Sequence, residues 1–199
     1  MKHAGVSILL LAAIVWGLAG QTALFRVTPE PAAKFELIVK KTGFLSGKAH
    51  LFNFPRYEGQ LDFDESAPER SKITLRIDAA SIECKDDWVS ENDRKKVLEE
   101  ARENMLRVAR HKDLLFESQS VRKRSDGAFD VQGGLTIRGI VKPVVVKVTM
   151  KPAADGTLAF TGESAIDMTA WGLKPPKALL GAIGTEKEMQ VRFALTAKR

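Results

Sequence analysis

The chain has 199 residues, a formal net charge of +6 and a single cysteine. That length suits one domain with its own hydrophobic core, and one cysteine excludes an internal disulfide. The basic excess is spread in short clusters such as Arg122-Lys123-Arg124, without a nucleic-acid-binding motif. We therefore do not expect a nucleic acid among its partners.

Residues 1–19 have the pattern of a secretory signal peptide. A basic start, Met1-Lys2-His3, precedes the uncharged run VSILLLAAIVWGL at residues 6–18, and a small residue follows, as signal peptidase requires. The run is shorter than the roughly 20 apolar residues that cross a bilayer. We predict a mature domain of residues 20–199 in the periplasm or outside the cell. An uncleaved N-terminal membrane anchor is the alternative.

From residue 34 onward, hydrophobic and polar side chains alternate in short runs. In YEGQLDFD, Tyr57, Leu61 and Phe63 share one face and the charged residues share the other. Such alternation is typical of antiparallel strands with one buried face. Turn signals such as Ser125-Asp126-Gly127 separate the runs. The predicted strands cover residues 34–40, 49–54, 57–64, 73–79, 114–121, 129–137, 144–150, 158–166 and 189–197.

Two segments depart from this alternation. Residues 91–111 carry apolar side chains at helical spacing, and Ser90 followed by Asp93 resembles a capping box. We predict one amphipathic helix there, and we prefer packing on the domain to binding a partner as the role of its apolar stripe. Residues 171–184, rich in Pro and Gly, predict a long irregular connection, a kind that is often functional.

The number of predicted strands requires closure or stacking to protect the sheet edges. Periodicity alone leaves an up-and-down barrel and a sandwich open. Short motifs in a fixed order narrow the choice. The segment GGLTIRGIVKPVVVKV, residues 133–148, contains the pattern Gly-Leu-Thr-x-x-Gly-x-x-Lys-Pro. The other motifs are Lys41, Gly43 and Gly47; Gly59, Leu61, Phe63 and Asp64; Ile77, Asp78, Ser81 and Ile82; Phe116 and Ser118; and Trp171, Gly172 and Leu173.

Together these motifs resemble the YceI-like family from about Phe35 to Ala197. One segment departs: family members usually carry Arg-Asp and His-Leu where this chain has Cys84–His111. The resemblance implies a lipocalin-like antiparallel β-barrel of about eight strands with one inserted amphipathic helix. It also implies export to the periplasm and binding of polyisoprenoid lipids such as quinones. Because the departure falls near the barrel mouth, we expect a different ligand contact there.

The resemblance leads to an expected function: an exported protein that holds a quinone- or polyprenol-type lipid for carriage or storage. We expect Trp171 and the loop Pro175–Gly184 to gate the mouth. Gly133, Gly134 and Gly139 are expected to let the wall bend or turn, and Pro143 to lie at a strand start or beside a bulge. The expected cavity-lining residues are Phe35, Leu37, Phe52, Phe54, Leu75, Phe116, Val146, Val148, Phe160, Trp171 and Phe193.

The main alternative is a filled barrel without a stable ligand, acting as an envelope stress or interaction protein through its long helix. We do not expect an enzyme, because no nucleophile, metal or phosphate motif is present. His50 is interpreted as a core or rim residue, Cys84 as a small strand-end residue, and Asp62 and Asp64 as a solvated strand face. No cofactor or metal is expected beyond the lipid. Contact with a membrane surface and formation of a homodimer remain open.

Overall fold

A computed structural model describes residues 22–153 and 155–199, so the predicted signal segment lies outside the described residues. Strands dominate, and a single long helical segment interrupts them between β6 and β7. The elements are β1 Thr22–Val27, β2 Lys34–Gly43, β3 Ala49–Asn53, β4 Tyr57–Asp64, β5 Lys72–Asp78, β6 Glu83–Cys84, α1 Glu91–Glu99 with its π-helical continuation Glu100–Leu106, β7 Asp113–Lys123, β8 Phe129–Ile137, β9 Ile140–Pro152, β10 Leu158–Asp167, β11 Lys177–Ala178 and β12 Ile183–Lys198.

Eight of the strands close an antiparallel barrel. Their order is β1-β4-β5-β7-β8-β9-β10-β12, and β12 pairs back with β1 at Arg26–Lys198 and Val27–Ala197. Closure satisfies the backbone groups that an open sheet would leave at its two edges. The predicted lipocalin-like barrel of about eight strands is therefore confirmed.

The remaining strands extend one side of this wall. β2 pairs with β12 from Ala194 back to Ile183, β3 pairs with β2, and the short β6 pairs with β3. The register separates two ends of the barrel. We call one the helix end, formed by residues 44–48, 79–112, 138–139 and 168–182. The other is the opposite end, formed by residues 65–71, 124–128, 153 and 155–157.

The alternation in sequence becomes an inner and an outer face of the barrel. On β9, Val144 and Val146 point to the interior, whereas Val141 and Val145 are 61% and 54% exposed. Successive side chains on a strand point to opposite faces, so each run places its apolar positions inside.

Strand β1 was not predicted, although it closes the barrel. Only Phe25 and Val27 of this strand are buried, whereas Leu24 is 48% exposed. Two buried positions are too few to give a clear alternation, and the pairing of β1 with β12 joins opposite ends of the described chain.

The predicted helix at residues 91–111 is real but shorter. It begins after Ser90, whose Oγ accepts from Asp93 N at 3.1 Å, as the capping pattern predicted. It ends at Leu106, because Arg107 adopts a left-handed conformation with φ of 53°. The last turns are π-helical, and the backbone N–H of Val108 returns to the carbonyl of Arg102.

The glycines of the segment 133–148 have different roles. Gly139, with φ of 77°, and Arg138, with φ of 53°, form the two-residue turn between β8 and β9. Gly133 does not turn the chain: a Cβ there would lie 2.4 Å from the backbone oxygen of Glu117 and 2.7 Å from the Phe116 ring, so the glycine makes room for both. Pro143 lies inside β9 near its start, where β9 pairs with β8 but not yet with β10. The missing N–H of the proline therefore removes no hydrogen bond to β10.

Candidate ligand cavity

The barrel encloses a cavity of about 620 Å³. That volume lies within the range of about 300–1,000 Å³ that is usual for small-molecule sites. Most of the lining consists of aliphatic and aromatic side chains from the inward faces of the strands. The predicted residues that do line the cavity are Phe35, Leu37, Phe52, Phe54, Leu75, Phe116, Val146, Val148, Phe160 and Phe193.

Aromatic rings shape one wall of this cavity. The rings of Phe35 and Phe193 stack with centroids 6.0 Å apart and planes 9° apart, and Phe54 meets Phe35 edge-on at 6.2 Å. Gly162 pairs with Phe193 across β10 and β12, and a Cβ on Gly162 would come within 2.3 Å of the Phe193 ring. The glycine therefore allows this ring to lie flat against the barrel wall.

Trp171 does not line the cavity, which corrects one predicted position. It ends a short 3₁₀ turn, Met168–Trp171, and is only 2% exposed. Its Nε1 donates to the carbonyl oxygen of Leu135 at 3.0 Å. The buried indole is hydrogen-bonded and joins this turn to β8. The expected role of Trp171 as a gate at the cavity mouth does not fit this buried, fixed position.

The loop Pro175–Gly184 does border the cavity. Pro176, Lys177 and Ala178 are part of its lining, and Lys177 and Ala178 are also exposed to solvent. The next two residues, Leu179 and Leu180, are 70% and 111% exposed. This loop therefore lies at an opening of the cavity.

The helical segment forms part of the cavity wall at the helix end. Val97, Ala101, Met105 and Leu106 line the cavity from this segment. Arg102 holds the segment in place by donating from Nη2 to the carbonyl oxygen of Ile82 at 2.9 Å. The apolar stripe of the helix thus packs on the domain, which was the preferred interpretation.

A group of polar side chains lies at this same end of the cavity. We call Lys41, His50, Asp86 and Thr185 the polar cluster; all but Asp86 line the cavity. His50 Nδ1 and Asp86 Oδ2 are 2.5 Å apart, and Asp86 Oδ1 accepts from Leu51 N at 2.7 Å. His50 and Asp86 are 7% and 2% exposed, so this is a buried pair rather than a surface contact.

Burial and hydrogen bonding oppose each other in the polar cluster. Burial alone would raise the pKa of Asp86, but its hydrogen bonds with His50 and Leu51 outweigh that effect and lower the pKa. Burial lowers the pKa of Lys41, and the nearby Asp86 carboxylate partly restores it. The cluster therefore holds an ionised carboxylate beside a desolvated lysine.

Two neighbours complete the surroundings of His50. The Trp88 ring stacks on His50 at 5.5 Å, and its Nε1 donates to the carbonyl oxygen of Ala49 at 2.9 Å. Cys84 ends β6 and is buried, and burial raises the pKa of its thiol to about 11. A thiol that stays protonated at neutral pH is a poor nucleophile, in agreement with the interpretation of Cys84 as a small structural residue.

Sequence reasoning missed most of this cluster. His50 was expected in the core or at the rim, but Asp86 was not singled out, because it lies 36 residues away in a loop with no periodic pattern. Asp64 was expected on a solvated face and is instead 2% exposed. It is enclosed by the turn that follows β4, where it accepts from Ser66, Ala67 and Arg70.

Two kinds of feature are absent from residues 22–153 and 155–199. No group of three or more His, Cys, Asp or Glu side chains in these ranges could hold a metal ion. Among the same residues, no helix has both the length and the apolar character needed to cross a bilayer.

Comparison with known proteins identifies the family. The family model described as YceI-like domain matches residues 25–197. The chain belongs to the YceI-like family. A UPF0312 protein of Pseudomonas syringae pv. syringae is 29% identical over 128 residues, which is 62% of this chain and 63% of that protein. The chain thus covers less than two thirds of the length of such relatives.

Solved structures agree with the barrel. BcnA of Burkholderia cenocepacia superposes with a TM-score of 0.65 at 21% identity, covering 83% of this chain and 96% of BcnA. A polyisoprenoid binding domain from Saccharophagus degradans superposes with a TM-score of 0.61 at 12% identity, covering 88% of this chain and 99% of that domain. At these identities the agreement establishes the YceI-like fold.

Proposed function

We propose that the protein is an exported lipid-binding protein that holds an isoprenoid-type chain, of the quinone or polyprenol class, inside the barrel. The observation that supports this most strongly is the largely apolar cavity of about 620 Å³. A filled barrel acting only as an interaction protein would instead place packed side chains in that space. Carriage and storage of the lipid both fit such a site.

The energetics of burial favour a long hydrocarbon ligand. Each buried methylene contributes about 0.8 kcal/mol, so on the order of ten methylenes give roughly 8 kcal/mol before the costs of binding. That corresponds to about micromolar affinity, which needs few polar contacts. The name of the Saccharophagus degradans domain, a polyisoprenoid binding domain, supports the same ligand class and a binding role rather than catalysis.

Exposed apolar residues at the helix end support contact with a membrane surface. Phe44, Leu179 and Leu180 are 85%, 70% and 111% exposed, and Phe44 N donates to Ala182 O at 3.1 Å, which joins the two loops. Lys177 lies in the same loop and would favour anionic lipid. Because these residues adjoin the cavity opening, docking there would let a lipid pass from the bilayer into the barrel.

Export depends on residues 1–19, whose composition predicts a signal peptide. Expression of the full chain in a bacterial host, followed by mass measurement of the periplasmic product, tests this part. A product that starts near residue 20 would support export with cleavage. A full-length chain in the membrane fraction would favour the uncleaved anchor.

Lipid extraction tests the proposed ligand. Residues 20–199 are purified from the periplasm, extracted with organic solvent and analysed by mass spectrometry for isoprenoid lipids. Val146→Trp, which fills the cavity, should abolish lipid recovery, whereas Val145→Trp, one residue away on the exposed face, should retain it. If the wild-type protein yields no lipid and takes up no added quinone or polyprenol, the filled-barrel alternative becomes the better account.

A further inference from the structure

Most of the cavity lining is apolar, but polar side chains interrupt it at Ser71 and Lys72 of the opposite end, at Ser164 on β10, and at the polar cluster of the helix end. Building polar groups into an apolar cavity costs free energy unless each finds a partner. Thr185 Oγ1 is buried and has no hydrogen-bond partner among the described residues. We infer that the polar cluster is a headgroup site for an uncharged, oxygen-bearing lipid head; this rests on the proposed function.

The strand register brings the cluster together on the inner face. Lys41 on β2 pairs directly with Thr185 on β12. Val39, two residues before Lys41 and on the same face, pairs with His50 on β3. These three side chains come from three adjacent strands, and each lines the cavity. Asp86 approaches His50 from behind, in the segment after β6.

The hydrogen bonds of Asp86 determine what His50 presents to the cavity. An ionised carboxylate only accepts hydrogen bonds, and Asp86 receives one from Leu51 N and one from His50 Nδ1. In the neutral form of the His50 ring, this contact therefore puts the proton on Nδ1 and leaves a lone pair on Nε2. Nε2 can accept from a hydroxyl head, Lys41 Nζ can donate to a carbonyl or hydroxyl oxygen, and Thr185 Oγ1 can do either.

The charge of the site favours an uncharged head. The polar cluster holds one ammonium group, Lys41, and one carboxylate, Asp86, so with a neutral His50 ring its formal charges cancel. Other charged side chains that line this end lie toward solvent: Lys96 pairs with Asp93 at 3.2 Å, Glu100 accepts from Asn104, and Lys177 is exposed. An anionic head would lose its hydration without gaining an unbalanced cation in return. Alcohol and quinone heads avoid that cost.

Binding of two C20 isoprenoids, geranylgeraniol and geranylgeranyl phosphate, to wild-type protein tests this site. The alcohol should bind more tightly than the phosphate. Lys41→Met and Thr185→Val should each weaken geranylgeraniol binding about 3- to 10-fold, the effect of losing one hydrogen bond. Lys40→Met is the matched control, because Lys40 is the exposed neighbour of Lys41 on β2 and does not line the cavity. It should change the affinity by less than about 2-fold.

A headless C20 isoprenoid hydrocarbon separates the headgroup from the chain. Its affinity should be unchanged by Lys41→Met and Thr185→Val, because both act only on a polar head. Equal losses for the hydrocarbon and the alcohol would overturn the headgroup site while leaving the lipid cavity intact. Equal effects of Lys41→Met and Lys40→Met would do the same. Tighter binding of the phosphate would overturn the uncharged head. Failure of all three probes to bind would reject the proposed function and this inference with it.

A quinone provides a geometric readout of the same site. The Trp88 ring stacks on His50 at 5.5 Å. A quinone head bound at the polar cluster should therefore quench the fluorescence of Trp88. Decylubiquinone should therefore quench the wild-type protein strongly and the Trp88→Phe variant, which retains Trp171, weakly. Equal fractional quenching of the two proteins would place the head elsewhere in the cavity.

Discussion

The two ends of the barrel are built differently. At the opposite end, strands are joined by tight turns whose aspartates accept from their own backbone: Asp126 from Ala128 N and Asp155 from Thr157 N. At the helix end, Leu179 and Leu180 have φ of 49° and 55°, and the helix finishes in a π-helical turn. Positive φ at residues other than glycine is unfavourable, and such conformations often occur at functional sites.

From this difference we infer that the opposite end mainly supports closure of the barrel and the helix end mainly contacts the ligand. The strands near the opposite end close the barrel through β1 and β12, and their turns follow local sequence preferences. The helix end carries the polar cluster, the exposed leucines and the loop beside the cavity opening. Substitutions near the closure should therefore change stability most, and those at the helix end should change ligand contact and local opening.

The largest expected effect comes from the closure itself. Phe25 on β1 is 2% exposed, and Phe25→Ala should destabilise the protein by about 3–5 kcal/mol, since it leaves a cavity beside the β1–β12 seam. Leu24→Ala is the control, because Leu24 is 48% exposed on the outer face. Urea unfolding of both variants measures the difference. Similar small losses in the two would show that β1 contributes little to closure.

Breaking the buried pair at the helix end should have the next largest effect. Asp86→Asn replaces an acceptor that serves both His50 and Leu51, and we expect a loss of about 2–3 kcal/mol. Asp87→Asn, at the exposed neighbouring residue, should be nearly neutral. Thermal unfolding of the two variants at pH 7 tests this contrast, and comparable losses would contradict it.

The same pair predicts a pH dependence. Because the folded state lowers the pKa of Asp86, its contribution is present above the unfolded pKa of about 3.9 and is lost as the pH falls through the lower folded value. Wild-type stability should therefore fall below about pH 4 more steeply than that of Asp86→Asn. Parallel pH profiles would mean that Asp86 has the same pKa in both states.

A smaller effect on stability is expected from a substitution in the cavity wall between the helix end and the opposite end. Gly162→Ala would place a Cβ within 2.3 Å of the Phe193 ring and push that ring into the cavity. We expect a loss of about 1–2 kcal/mol from this overpacking, together with weaker lipid binding. In a Phe193→Leu background the same change should cost less, because the ring is gone. An unchanged cost in that background would mean that the backbone, not the ring, resists the methyl group.

The regular wall of the barrel was predictable from sequence, and the helix end was predictable only in part. Alternation is a local property, so β4 was predicted with its observed bounds, Tyr57–Asp64. The pairing of His50 with Asp86 spans 36 residues and leaves no periodic signal. The burial of Trp171 was equally hidden, because a Pro- and Gly-rich segment does not reveal which of its side chains turns inward.

The end of the helix is a second feature that the local sequence pattern did not predict correctly. Apolar residues continue at helical spacing as far as Val108, and this pattern predicted a helix to residue 111. The chain instead turns at Arg107 with φ of 53°. Hydrophobic spacing records which side chains face the core, and Val108 still packs against the core after the helix has ended.

The smallest predicted effect asks whether the helix end opens independently of the barrel. Ser90 caps the helix by accepting from Asp93 N, and Ser90→Ala should cost about 1 kcal/mol, whereas Ser90→Gly should cost only a few tenths. Hydrogen exchange locates the loss. If the helix opens locally, amides in residues 94–106 should exchange about 5-fold faster in Ser90→Ala, and amides of β10 and β12 should be unaffected. Uniform acceleration in all three elements would mean that the two ends unfold as one unit. The structural contrast would then have no counterpart in the dynamics, and lipid entry would require opening of the whole barrel rather than of its helix end.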